Sequence, residues 1–295
     1  MDRRLFGILA VIGAGAAMMT ADALAKVAVA ETALGQVIAG RGLVACVVLG
    51  AAGLALGQMR WHPGVLSVPV LVRILAEVGA GFSIVGAFGH MPIANATAIL
   101  QLIPLVTTLA AALLFAEKVG WRRWLAGLAG LAGVLMILQP GAAGFTWWSL
   151  LAVSAMLCMS TRDLATSRIA PGVPTLLVGA LSAVAVSLAG AVLAAATGWV
   201  APTPRALAFT VASGLSLSCG FICLVVGMRN AEMSVVAPFR YFTLLWAILL
   251  GYVAWGEVPD ALAWAGIAVV IAAGLYAFGR ERALARQRAR ELAGA

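Results

Sequence analysis

Residues 95–124 read NATAILQLIPLVTTLAAALLFAEKVGWRRW, and residues 235–264 read VVAPFRYFTLLWAILLGYVAWGEVPDALAW. Laid over one another at a shift of 140 positions, they put Glu117 on Glu257, Trp124 on Trp264, Phe115 on Trp255 and Gln101 on Tyr241. A shift of 141 or 142 carries the match toward the N-terminus, with Thr20-Ala21-Asp22 on Thr161-Arg162-Asp163 and Leu9-Ala10-Val11 on Leu151-Ala152-Val153. Self-similarity at one long spacing marks a duplicated unit, so the chain reads as two copies of one design.

Each copy is too apolar for water. Of 295 residues, 63% are hydrophobic and 10% charged, with mean hydropathy +1.07, and a core of this size cannot hide that much apolar surface. Windows such as Leu5 to Ala21, Ile93 to Ala116, Ala206 to Met228 and Ala261 to Phe278 carry no charge over the length that crosses roughly 30 Å of hydrocarbon. Breaks at charge and Pro/Gly clusters predict spans at Leu5–Leu24, Gly35–Leu56, Val65–Phe88, Ile93–Phe115 and Trp121–Leu138, then Phe145–Leu164, Leu176–Ala196, Ala206–Met228, Met233–Trp255 and Ala261–Phe278. The 33 glycines suit helices that approach closely through small faces. The expected fold class is therefore an all-α polytopic membrane protein of ten transmembrane helices.

Five spans per copy is an odd number, so the second copy must insert upside down, giving two inverted five-helix repeats. Loop charge agrees: Glu117 is followed by Lys118, Arg122 and Arg123, whereas Glu257 is followed by Asp260 and no base. With a cytoplasmic N-terminus, the inside holds Arg3, Arg4, Arg60, the Lys118 to Arg123 loop, Arg168, Arg229 and the arginines of Arg280 to Arg290, against Lys26 and Arg205 outside. That imbalance predicts both termini in the cytoplasm, in a bacterial inner membrane. The expected domains are a first repeat at 1–139, a second, inverted repeat at 140–279, and a basic tail at 280–295 read as an interfacial helix on anionic lipid. Arg3 and Arg4 lead into a long apolar run with no small-residue cleavage site, so that run is read as the first span rather than a signal peptide.

Pro104, Leu113-Leu114-Phe115-Ala116-Glu117 and the glycines Gly127, Gly130 and Gly133, echoed by Ala237-Pro238, Tyr241, Leu249-Leu250-Gly251, Trp255-Gly256-Glu257 and Gly266, resemble the EamA domain of the drug/metabolite transporter superfamily. The resemblance covers both halves; Lys118 stands where the family commonly has proline after the glutamate. It implies ten helices around a central pathway for substrates such as amino acids, nucleotides or vitamins. The Pro238 to Phe242 run is similar to members that take up riboflavin or S-adenosylmethionine. The expected function is secondary transport of a small organic metabolite by alternating access, uptake of a vitamin-like or amino-acid-derived solute, with export of amino acids or toxic metabolites as the alternative.

An ionisable side chain inside a bilayer is costly unless paired or wetted, which makes each one a candidate for function. Arg73 and Glu77 lie one turn apart on the third span, either as a fixed pair or with Glu77 titrating or receiving a cationic substrate group. Asp22 and Asp163 correspond under the repeat and fall toward opposite mouths, as gate or proton-relay groups or simply as helix-end polarity. Arg41 snorkels outward or reaches Asp22. Gln101 and Tyr241 also correspond, beside Asn95, Phe239 and Arg240, where Pro104 and Pro238 free backbone carbonyls. This set, Glu77, Gln101, Arg240, Tyr241, Phe239 and Asn95, is the expected substrate site, with Asp22, Asp163 and Arg73 as gate or relay. Arg240 pairs with a substrate anion or, structurally, with Glu77 or an aspartate. Glu117 and Glu257 close their spans, read as caps.

Other classes lack their signatures. The sequence has no HExxH and no GxSxG, His62 and His90 fall in loops, and no Walker-type GxxxxGK[ST] occurs, so neither an intramembrane enzyme nor ATP-driven transport by this chain is expected. A channel fits inverted duplication and mixed buried charge less well. Cys46, Cys158, Cys219 and Cys223 lie in apolar windows without metal spacing. The excess positive charge sits in loops and the tail rather than on a folded face, against nucleic acid. No cofactor or metal is expected; the partners are a small-molecule substrate, a coupling proton or counter-substrate, and the lipid bilayer, in a monomer or homodimer.

Overall fold

The computed structural model describes residues 3–115, 121–139, 148–230 and 242–293, and among these every regular element is a helix. The first half runs through α1 (Arg3–Val29), α2 (Leu34–Ala55), a 3-10 turn (Pro63–Leu66), α3 (Val68–Phe88), α4 (Ile93–Leu100), α5 (Ile103–Phe115) and α6 (Trp121–Leu138). The second holds α7 (Ser149–Thr166), α8 (Thr175–Thr197), α9 (Pro204–Asn230), α10 (Phe242–Trp255) and α11 (Ala261–Ala293). Six stretches, Leu5–Val29, Leu34–Ala55, Val68–Phe88, Ile93–Leu114, Thr175–Thr197 and Pro204–Gly227, are long and apolar enough to cross a membrane. Trp124–Leu138, Phe242–Trp255 and Ala261–Ala277 are shorter apolar helices.

Three departures from the sequence reading have a local reason. The fourth span is split: α4 ends at Leu100 and α5 starts at Ile103, because Pro104 has no N–H for the Leu100 carbonyl and its ring crowds that oxygen. The first span continues past its expected end at Leu24 to Val29, since Lys26 finds a partner inside the bundle. The basic tail is the continuous extension of α11 rather than a separate helix. Elsewhere the punctuation is chemical. Proline opens the first turn of α3, and Gly198 ends α8 at φ 97°. Asp260 caps α11 by accepting from the Ala263 N–H at 2.7 Å and also takes a bond from Gln139 at 2.7 Å; these hold its carboxyl below the ordinary carboxylate range.

Packing joins the halves rather than each half to itself. α1 lies against α9, α3 against α7, α2 against α8, α6 against α11 and α4 against α10. Along α3 and α7 the contacts form an antiparallel ladder: Glu77 with Arg162, Gly79 under Cys158, Ser83 with Ser154 at 3.0 Å, Gly86 under Leu151, and His90 stacked on Trp148 at 4.0 Å. α1 and α9 repeat the arrangement, with Ser213 donating to the Ala21 carbonyl, Gly220 against Met18 and Gly227 against Val11.

Two crossings need glycine. A Cβ on Gly190 would sit 2.5 Å from the Ala39 nitrogen, and one on Gly266 would sit 2.6 Å from the Gly133 carbonyl oxygen. Lipid offers no hydrophobic drive between helices, so close backbone approach supplies much of the cohesion. Gly50, on the same helix α2 that Gly190 meets, has open space around its Cβ position. Gly190→Ala is expected to destabilise by about 1–3 kcal/mol through overpacking against backbone, whereas Gly50→Ala is neutral or stabilising by up to about 1 kcal/mol; melting in detergent monitored by tryptophan fluorescence distinguishes the two.

Candidate functional site

Four charges meet where the halves touch. Arg73 and Glu77 come from α3, one turn apart, and Arg162 and Asp163 from the last turn and a half of α7. Arg162 Nη1 lies 3.4 Å from Glu77 Oε1, while its Nε and Nη2 donate to Asp163 Oδ1 at 3.0 and 2.9 Å. Arg73 Nη1 donates to the Ser182 hydroxyl on α8 at 2.6 Å, and its Nη2 stands 4.0 Å from Glu77 Oε2. Among the described residues the signs alternate and the four charges sum to zero.

The cluster is partly exposed. Side-chain exposure is 29% at Glu77, 23% at Arg162 and 30% at Asp163. Leu75 and Thr161 are exposed on the outer faces of α3 and α7. Glu77 and Asp163 each lie two residues further on, roughly 200° round their helices. Glu77 thus points away from the exposed face of α3 and toward the neighbouring helices.

A second charged pair sits apart. Asp22 on α1 accepts from Arg41 Nη2 on α2 at 3.2 Å, with both side chains nearly covered, at 13% and 8% exposure. Of the two sequence expectations for Arg41, the structure has the one that reaches Asp22; its Nη1 is buried without a partner among the described residues. Asp22 and Asp163 thus occupy repeat-related places with different company: Arg41 for one, Arg162 for the other.

A third charged group closes one face. Lys26 pairs with Glu257, donates to the Met91 carbonyl at 3.2 Å, and lies 4.8 Å over the Trp255 ring. Glu257 Oε2 also accepts the Ile93 N–H at 3.1 Å, capping α4 at its first residue. One ion pair thereby ties α1, the turn before α4 and the connection between α10 and α11. Nearby on that face Gln36 bonds the Val200 backbone through both its amide oxygen and nitrogen, and Arg205 lies 3.4 Å from Glu31.

The expected polar lining on the fourth span is present in part. Asn95 Oδ1, Gln101 Nε2 and Thr107 Oγ1 are buried without a hydrogen-bond partner among the described residues, on either side of the break at Gln101. Buried polar atoms are ordinarily satisfied, so three along one broken helix mark a place with unspent bonding capacity. Phe239, Arg240 and Tyr241 of the expected site, with Pro238, Glu117 and Lys118, lie outside the described residues. Arg73, Glu77 and Asp163 are brought together; Asp22 is not with them. Among the described residues no group of three or more His, Cys, Asp or Glu could hold a metal. Sequence reasoning counts Arg162 among the buried charges without giving it a role, and leaves Ser182 and Lys26 out of the site. Arg162 and Lys26 carried a signal, a base inside or just past an apolar span, whereas Ser182 is one serine among many.

A model of the EamA-like transporter family matches residues 5–139 and again residues 146–278. A riboflavin transporter of Rhizobium johnstonii is 30% identical over 210 residues, 70% of this chain and 68% of that protein. An S-adenosylmethionine uptake transporter of Rickettsia bellii is 26% identical over 191 residues, 65% of each chain, and a riboflavin transporter of Vibrio cholerae is 26% identical over 72% of this chain and 70% of its own. A crystal structure covers 93% of this chain and 96% of its own at TM-score 0.65 and 23% identity, a likeness of fold. The Lys26–Glu257 tie yields a test independent of transport. Lys26→Met and Glu257→Gln each strand the other partner and are expected to cost about 1–3 kcal/mol; the double variant should lose clearly less than the two summed, read from melting temperatures as a double-mutant cycle.

Proposed function

The chain belongs to the EamA-like transporter family, and from that premise we propose that it is a ten-span carrier of the bacterial inner membrane, built from inverted repeats at 1–139 and 140–279. It is a transporter of small molecules and not an enzyme. The finer reading is uptake of a vitamin-like or amino-acid-derived metabolite by alternating access, in exchange or coupled to a proton.

The observation that carries this reading is the charge cluster: Arg73 and Glu77 from one half neutralise Arg162 and Asp163 from the other, with Glu77, Arg162 and Asp163 partly exposed. Substrate sites of inverted-repeat carriers lie where the repeats meet, because rocking one half against the other exposes that place to each side in turn. Helix pairing supports the inversion. Exchanging each span with its repeat partner turns the α1–α9 contact into the α7–α3 contact and leaves α2–α8 and α6–α11 paired with themselves. Arg60, Arg168 and the arginines of the tail, against Lys26 and Arg205 on the other side, support both termini in the cytoplasm. Gln101 and Asn95, with unspent bonding capacity, line the proposed pathway; Phe239, Arg240 and Tyr241 are proposed to complete it.

Proteoliposomes containing the purified protein are expected to accumulate or exchange S-adenosylmethionine or riboflavin, and Glu77→Gln to slow that movement at least tenfold. If the purified protein moves neither these nor free amino acids above empty vesicles, the transport reading fails. Alkaline phosphatase fused within 30–33 or 198–203 should be active, and fused within 57–62, 168–173 or after residue 293 inactive; the reverse pattern would place the termini outside.

A further inference from the structure

A cavity of about 540 Å³ that shares no residue with the charge cluster opens between two loops at one end of the bundle. One loop, 57–62, follows α2 in the first half; the other, 172–175, leads into α8 in the second. The loops touch, since a Cβ on Gly64 would stand 2.8 Å from Val173 Cγ2. Met59 packs against Leu49, Leu176 and Ala180, which anchors the first loop to both helices.

The polar side chains on the cavity walls can all donate. Arg60 is exposed and has no hydrogen bond or ion pair among the described residues. His62 Nδ1 accepts the Gly64 N–H at 3.0 Å, which leaves the proton of the neutral ring on Nε2. That nitrogen stands beside Gly172, whose φ of 99° and missing side chain keep the space open; a Cβ there would lie 3.8 Å away. Gln58, Trp61 and Thr175 add an amide, an indole N–H and a hydroxyl. Among the described residues no Asp or Glu lines the cavity.

A guanidinium with neutral donors around it and no acid suits an anion, and its planar fork matches a phosphate. The rim says which kind. Leu54, Leu56, Trp61, Leu66 and Val68 are exposed where α2 ends and α3 begins, at the join of apolar helix and polar loop. A free phosphate gains nothing from that apolar rim, whereas a phospholipid lays its acyl chains along it. A choline or ethanolamine headgroup brings a second cation that no carboxylate here receives.

We propose that this cavity binds the phosphate of an anionic phospholipid, with Arg60 and the His62 Nε2–H on the phosphate oxygens and the acyl chains over Leu54, Leu56 and Leu66. Because each half supplies one loop, the bound lipid bridges the halves and stabilises the fold that holds them together. The site is distinct from the path of the transported solute and does not depend on what that solute is.

The test uses purified, delipidated protein in dodecyl maltoside, with melting followed by tryptophan fluorescence. Phosphatidylglycerol is expected to raise the melting temperature, and phosphatidylcholine or glycerol 3-phosphate at the same concentration to raise it clearly less. Arg60→Gln should increase the half-saturating concentration of phosphatidylglycerol roughly tenfold, as expected for loss of a charged hydrogen bond. Thr175→Trp, which fills the cavity without altering charge, should do the same, while Arg286→Gln in the tail leaves the response nearly unchanged. Native mass spectrometry of the same samples gives a second reading, with fewer retained phosphatidylglycerol molecules in Arg60→Gln than in the natural sequence. No stabilisation by phosphatidylglycerol, or equal stabilisation by phosphatidylcholine or glycerol 3-phosphate, overturns the proposal. So does a response that survives both cavity substitutions, or one that Arg286→Gln weakens as much as Arg60→Gln.

Discussion

A charge placed in hydrocarbon must find its opposite, and most of this structure follows from how that is met. Twenty-odd apolar residues make a helix that spans a membrane without help, yet α1, α2, α3 and α7 each carry charge. None of them can be independent. Arg41 brings α2 to Asp22 on α1, and Glu77 brings α3 to Arg162 on α7. The second of these links belongs to different halves of the duplicated chain. Electrostatics therefore assembles the molecule across its repeat boundary, while glycine contacts at Gly190 and Gly266 let the backbones come near enough for the charges to meet.

Such pairs hold the fold and still leave it able to move. Buried ion pairs add little net stability over apolar packing, but breaking one by removing a partner is expensive. Their effect is to restrict which arrangements are allowed. Two helices joined by charge can slide only to positions where each charge still has company. The contrast between the two aspartates matters here: Asp22 and Arg41 are nearly covered, while Asp163 and Arg162 are partly exposed. The two corresponding aspartates are therefore chemically inequivalent in this structure, although the same family model matches both halves.

Much of the fold was legible in residue order because the signal is repeated and long. The duplication of Glu117 and Glu257 and the charge-free windows follow from period and composition, and α6 matches its sequence boundaries at Trp121–Leu138. Helix ends were harder where charge lay near them: Lys26 looks like the end of a span until Glu257, over two hundred residues away, neutralises it. The site was legible as a set of residue types and not as an arrangement. Arg73 and Glu77 announce each other at i and i+4, but nothing in order alone assigns Arg162 to Glu77 or Ser182 to Arg73. Those pairings depend on which helices cross, and crossing depends on small residues whose partners lie in the other half.

The last helix has a mechanical meaning. Its apolar part ends at Ala277, but the rod continues to Ala293, about another 24 Å at 1.5 Å per residue. A rigid arm of that length converts a small tilt of its root into a large sweep of its tip. The arginines of the tail thus lie along a helix continuous with the second half, so any change in the angle at which α6 and α11 cross would carry them with it.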